Sequence, residues 1–130
     1  MIKRIITHKH IRSIFKSFYF AFCGLWHIIK NHRNARIILF FAILAVIFGL
    51  YFRITKIEMT VVLLISGVVF VGEVFNSMVE DITNLITNQE YHPVVKTIKD
   101  MSAAAVLFAS IISLVIGYLI FWQRIVSLWK

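Results

Sequence analysis

The 22 residues from Met101 to Trp122 carry no formal charge. At a rise of 1.5 Å per residue, about 20 apolar residues cross the hydrocarbon layer of a bilayer. Two further runs have the same character. Ile37 to Phe52 is uncharged for 16 residues between Arg36 and Arg53, and Ile57 to Gly72 is apolar apart from Glu58. Lys and Arg at the ends of such runs can snorkel, which shortens the apolar length required. With 60% hydrophobic residues, 15% charged residues and a mean hydropathy of +0.86 over 130 residues, the chain lacks the polar surface of a soluble domain. The expected fold class is an all-α integral membrane protein of one domain, an amphipathic surface helix plus three transmembrane helices. Residues 1–33 form a cytoplasmic tail and surface helix, 34–53 the first span, 57–86 the second span with a cytoplasmic extension, and 100–122 the third.

Basic residues set the orientation. Eight of the 14 Lys and Arg lie in Met1 to Arg36, two (Arg53, Lys56) in the first interhelical loop, two (Lys96, Lys99) in the second and two (Arg124, Lys130) in the tail. With three spans, the N-terminus and second loop share one face, and the positive-inside rule makes that face cytoplasmic. The net charge of +8 is accounted for by anionic lipid and calls for no nucleic acid. The single cysteine, Cys23, excludes an intrachain disulfide and any CxxC motif, and reads as a small apolar filler. No apolar core with a small-residue cleavage site follows the basic start, so no removable signal peptide is expected. Met1 to Arg12 reads as a basic tail carrying His8 and His10. From Ile11 to about Lys30, apolar residues recur at Ile14, Phe15, Phe18, Phe22, Leu25, Trp26 and Ile29, the spacing of a helix lying on a membrane surface.

Five of the six acidic residues fall between Glu73 and Asp100. At about 100° per residue, Glu73, Asn76, Glu80 and Asn84 lie within roughly 80° of one another on one helix face. An ionisable group at membrane depth is expensive, so it faces protein or a wet site and marks function. Further polar groups follow near the cytoplasmic edge: Asp81, Glu90, Tyr91, His92, Lys96, Lys99 and Asp100. Pro93, the sole proline, prevents His92 from continuing a helix. Ser102 to Ala105 offers small residues for close helix or subunit packing. Carboxylates on one face suit a hard cation such as Mg²⁺ that bridges phosphates, and a lysine there can neutralise phosphate charge. The deeper carboxylate can act as a base toward a lipid alcohol. Together these suit phosphoryl transfer from a nucleotide to a hydroxyl in the membrane. Plainer readings stand beside that one. Glu73 could pair with a lysine of a neighbouring subunit, Asp81 and Glu90 could be solvated charges, and Tyr91 and His92 could be interfacial anchors.

GEVFNSMVEDITNLI, then EYHP, then KD before an alanine-rich span resembles the prokaryotic diacylglycerol kinase and undecaprenol kinase family. The family pattern is matched by Glu73, Asn76, Ser77 and Glu80, by Glu90-Tyr91-His92, and by Lys99-Asp100 with Ser102-Ala103-Ala104. Upstream, Ser17-Phe18, Ala21 and Gly24-Leu25 resemble its surface helix, and Arg33-Asn34-Ala35-Arg36-Ile37 the start of its first span. The resemblance runs in order over about residues 13–122. It implies a homotrimer in a bacterial cell membrane with active sites between subunits at the cytoplasmic face. It implies ATP with Mg²⁺ or Mn²⁺, and a lipid alcohol, diacylglycerol or undecaprenol. By the same resemblance Glu73 is the base toward the lipid hydroxyl, Glu80 holds the metal accompanying ATP, and Asn76 supports that centre. Glu90, Tyr91, His92, Lys99 and Asp100 contact the nucleotide, and Arg36 lies on the lipid side. EYHP with its proline resembles the Gram-positive branch, where undecaprenol is a common acceptor.

Two positions depart from the pattern. His32 stands where the family has a second metal-binding glutamate, and imidazole suits Mn²⁺ or Zn²⁺ better than Mg²⁺. Asn84 stands where the family has an aspartate four residues after the metal glutamate, with Asp81 able to compensate in part. The expected activity is a lipid kinase, active or weakened. The alternatives are a family-like membrane scaffold without catalysis and a proton-coupled transporter, for which the Lys99-Asp100 and EYH elements have no use.

Overall fold

The computed structural model describes the backbone of residues 2–127 and the side chains of residues 14–126. The side chains of the expected tail, His8 and His10 included, lie outside the described residues. Four helices follow one another: α1 (Ile2–Asn31), α2 (Arg33–Tyr51), α3 (Lys56–Thr87) and α4 (Pro93–Ser127). Three of them, α2, α3 and α4, are long and apolar enough to cross a membrane. α2, with 19 residues, reaches about 28 Å, close to the hydrocarbon thickness. α3 and α4, with 32 and 35 residues, reach about 48 and 52 Å and outrun that layer.

The chain divides into two compact units, Met1–Arg33 and Asn34–Lys130. The first is α1. Its Phe15, Phe18, Phe22, Leu25 and Trp26 are exposed and Ile28 is buried. Near its end the Asn31 carboxamide donates to the His27 ring at 3.0 Å. The helix stops at His32, whose N–H still reaches the Ile28 carbonyl at 2.9 Å.

The second unit is held in register by its turns. After α2 the N–H of Ile54 bonds to the Gly49 carbonyl at 3.1 Å and that of Arg53 to Leu50 at 3.2 Å, the two bonds of a Schellman cap. Arg53 takes the left-handed conformation, φ 50°, that such a cap needs, which ends the helix before Arg53. Gly49 sits close under this turn: a Cβ built there would lie 2.7 Å from the Met59 methyl and 2.9 Å from Ile54 Cδ1, so those side-chain ends would have to shift. α3 then opens with a capping box. Thr55 Oγ1 accepts the Glu58 N–H at 3.2 Å, and the Glu58 carboxylate accepts the Thr55 N–H at 2.6 Å.

Between α3 and α4 the chain turns through Asn88 and Gln89, both left-handed at φ 51° and 65°. Their N–H groups return to the Asn84 carbonyl, with Gln89 at 3.1 Å. Pro93 opens α4, where its missing N–H leaves no bond unmade. The third span, expected from residue 100, is therefore preceded within the same continuous helix by Pro93 to Lys99.

α3 and α4 pack against each other along much of their length. On α3 the buried positions Val62, Val69, Glu73, Ser77 and Thr83 follow a helical seam. On α4 the half-buried row is Lys99, Ser102, Val106, Ala109 and Ser113. A Cβ at Gly72 would meet Val106 at 3.8 Å, ordinary contact for close helices. Of the small run Ser102 to Ala105, only Ser102 turns inward, and Ala103, Ala104 and Ala105 are exposed. At the other end Arg124 donates to Glu58 at 2.9 Å, and Phe52 meets Phe121 with ring centroids 6.2 Å apart. α2 runs antiparallel to α3, the two lining an apolar groove that includes Leu39, Ile43, Ile47, Leu63, Gly67 and Phe70. Most large apolar side chains are exposed, as suits a chain whose solvent is lipid.

Candidate active site

The polar groups gather where the C-terminal half of α3 meets the first turns of α4. α3 carries Glu73, Asn76, Ser77, Glu80, Thr83 and Asn84; α4 carries Lys99 and Ser102. Antiparallel packing sets a descending row against an ascending one, so positions eight apart on α3 meet positions three apart on α4. Two cross-helix hydrogen bonds result. Lys99 Nζ donates to Asn84 Oδ1 at 2.6 Å, and Ser102 Oγ donates to Asn76 Oδ1 at 2.7 Å. Both donors come from α4 and both acceptors are carboxamide oxygens of α3.

Depth separates the carboxylates. Glu73 is 2% exposed, while Glu80 and Asp81, two turns on, are exposed. Helix periodicity gathers Glu73 and Glu80 on one face, and only the tertiary packing around α3 distinguishes the covered one from the exposed one. Ser77, one turn from Glu73, is 1% exposed, and its hydroxyl has no hydrogen-bond partner among the described residues. Thr83 is buried too, and its hydroxyl returns to the Val79 carbonyl at 2.7 Å, an ordinary solution within a helix.

Lys99 is half-buried and its bond to Asn84 is to a neutral oxygen, so its ammonium charge stays available to an anion. Asp100 lies on another face of α4, paired with Lys96 at 2.6 Å in an exposed i,i+4 bridge. Lys96, in the exposed first turns of α4, is held above its usual range by its hydrogen bond to Asp100. Glu90, Tyr91 and His92 are exposed in the turn between α3 and α4, Tyr91 by 78%. Arg36 is exposed near the start of α2, on the side toward which α3 carries Glu73.

Among the described residues no three His, Cys, Asp or Glu side chains gather to hold a metal ion. Mg²⁺ is ordinarily held through one or two carboxylates, with phosphates and water completing its six ligands. The exposed Glu80 carboxylate fits that mode and not a self-contained metal cage. Sequence reasoning overlooked Thr83 as a member of this cluster, noted Ser77 only within a motif, and noted Ser102 only within a motif and a small-residue run. Hydroxyls are common in helices, and nothing in their spacing separates a cross-helix bond from a local one.

A family model described as prokaryotic diacylglycerol kinase matches residues 19–121. Undecaprenol kinase of Bacillus subtilis is 33% identical over 117 residues, covering 90% of this chain and 94% of that protein. Diacylglycerol kinase of Synechocystis sp. is 28% identical over 116 residues, covering 89% of this chain and 66% of that protein. Since the match runs through α2, α3 and most of α4, and so includes every helix of membrane length, the chain belongs to the prokaryotic diacylglycerol kinase family of membrane lipid kinases.

Proposed function

We propose that this chain transfers the terminal phosphoryl group of ATP to the hydroxyl of a membrane lipid alcohol, diacylglycerol or undecaprenol, giving ADP and the lipid phosphate. The observation that carries this reading is the covered carboxylate of Glu73 within a membrane-length helix, one end of which holds exposed carboxylates and meets Lys99 of α4. An alcohol enters from the lipid side and a nucleotide from the aqueous side, and the two ends of this polar row suit those two partners. Of the two acceptors, the relative matched over 94% of its own length is named for undecaprenol, which favours that lipid.

In this reading Glu73 takes the hydroxyl proton as the lipid oxygen attacks the γ-phosphorus, and the bond to the β-phosphate oxygen breaks. Water is excluded there because the carboxylate is covered by protein, so ATP hydrolysis is disfavoured. Asn76 offers N–H groups to the reacting oxygens. Lys99 draws the transferring phosphates, and Asp100 with the Glu90, Tyr91 and His92 turn receives the rest of the nucleotide. Glu80 would hold Mg²⁺ or Mn²⁺, which when bound neutralises phosphate charge. Arg36 receives the lipid headgroup side. By the distribution of Lys and Arg, the N-terminus and the α3–α4 turn face the cytosol, in a bacterial cell membrane. The exposed α3 face formed by Thr60, Leu63, Leu64, Gly67, Val68 and Val71 suits a helix of another copy, in keeping with a homotrimer.

Incubation of the purified full chain with labelled ATP, Mg²⁺ and mixed micelles holding either diacylglycerol or undecaprenol tests the reading. A labelled lipid phosphate is expected from at least one; none from either overturns it.

A further inference from the structure

Asn76 is half-buried, and its carboxamide oxygen is taken by the Ser102 hydroxyl at 2.7 Å. An amide is planar, so fixing the oxygen fixes the N–H groups on the other side of the same plane. Those two donors have no acceptor among the described residues, since the bond to Ser102 is the one the side chain makes. The Ser102 hydroxyl has a second option, the Lys99 carbonyl of its own helix at 2.9 Å. It carries one proton, and the shorter contact is the one across to α3. Three residues before Ser102 on the same helix, Lys99 makes the parallel contact to Asn84 at 2.6 Å.

We infer that Ser102 is a positioning residue for the phosphoryl transfer. It holds the Asn76 amide so that its N–H donors, and not its oxygen, face the reacting phosphoryl and hydroxyl oxygens. Without that bond the amide turns freely, and in half of its orientations a carbonyl oxygen opposes an anionic phosphate. This rests on the reading of Asn76 given under the proposed function. It adds a residue of α4 whose side chain need touch neither substrate. The same bond fixes the relative height of the Asn76 amide and the Lys99 ammonium, because both donors stand on one rigid helix.

Thr and Val are near-isosteric and differ at position 102 by the hydroxyl alone. With ATP, Mg²⁺ and whichever of diacylglycerol or undecaprenol the full chain phosphorylates, Ser102→Thr is expected to keep kcat within about twofold. Ser102→Val is expected to lower kcat about tenfold, with the KM for ATP little changed, which is the scale of one net hydrogen bond. Ser102→Val combined with Asn76→Ala should be no slower than Asn76→Ala alone, since the amide that Ser102 orients is then gone. Equal kcat for the Thr and Val variants overturns the inference, as does a Val effect that adds fully to that of Asn76→Ala. If Asn76→Ala itself retains full kcat, the role given to Asn76 falls and the role of Ser102 with it. If Asn76→Ala is slow while Ser102→Val is not, only the positioning role fails.

Discussion

Glu73 and Glu80 are the same side chain on the same helix face, and they differ in what covers them. Glu73→Gln keeps the shape and removes the proton acceptor. Lipid phosphorylation is expected to fall by about a hundredfold or more, while far-ultraviolet circular dichroism and elution volume in detergent stay unchanged. Turnover within a few-fold of the original would remove the base assignment. Lys99→Met tests the other end of the row: because its partner Asn84 is neutral, the loss should raise the KM for ATP by about tenfold. Ser77 gives a prediction of opposite sign. A buried hydroxyl left without a partner costs about 1–3 kcal/mol, so Ser77→Ala should leave thermal stability in detergent unchanged or raise it; a fall of several degrees would mean that the hydroxyl is bonded in the assembled protein. Glu73 was legible in the sequence because a carboxylate in an apolar run is rare and expensive. Ser77, Thr83 and Ser102 were not, since a serine or threonine in a membrane helix usually bonds to its own backbone.

Helix ends carry most of the local specification in this chain. Arg53, Asn88 and Gln89 sit at positive φ, a conformation that penalises any residue with a Cβ. Gln89→Gly should therefore raise stability by roughly 0.5–1 kcal/mol, seen as a higher midpoint of thermal unfolding, without altering α3. Glu58 has two duties, closing the capping box of α3 and accepting Arg124 from the far end of α4. Glu58→Ala removes both and should lower stability by about 1–2 kcal/mol. Arg124→Ala, which spares the cap, should cost less; equal losses would mean that the cap contributes nothing. The Thr55-Lys56-Ile57-Glu58 box follows a known spacing and can be read from the sequence. The pairing of Glu58 with Arg124 spans 66 positions, and only the antiparallel packing of α3 and α4 brings them together.

Taken whole, the chain buries few side chains: Ile28, Ala35, Val62 and Val69 are the buried hydrophobic ones among the described residues. In lipid that is no deficit, because apolar surface gains little by turning inward and helix contacts rest on close packing and hydrogen bonds. Much of the site is also open, so a nucleotide that binds the folded chain should stabilise it noticeably. At a hundredfold excess over Kd the gain is about 2.7 kcal/mol. ATP with Mg²⁺ or Mn²⁺ is expected to raise the unfolding midpoint in detergent, and Glu80→Ala to diminish the rise. No rise with either metal, together with no lipid phosphate, would favour a scaffold without catalysis.

Hydropathy over long windows was enough to assign an all-helical membrane protein, because a span must satisfy its backbone internally and present apolar side chains to lipid. Spacing was enough to put Glu73, Asn76, Glu80 and Asn84 on one side of a helix, because side-chain direction follows from the helical period. Neither could say which members of that face are covered, since coverage is a property of the neighbouring helix. Tertiary packing hid Glu73 and Ser77 and left Glu80 exposed, and the α3–α4 contact turned Ser102 inward and Ala103 to Ala105 outward and gave Asn76 and Asn84 their donors. Those are distances between residues 15 and 26 positions apart, and no local pattern along the chain encodes them.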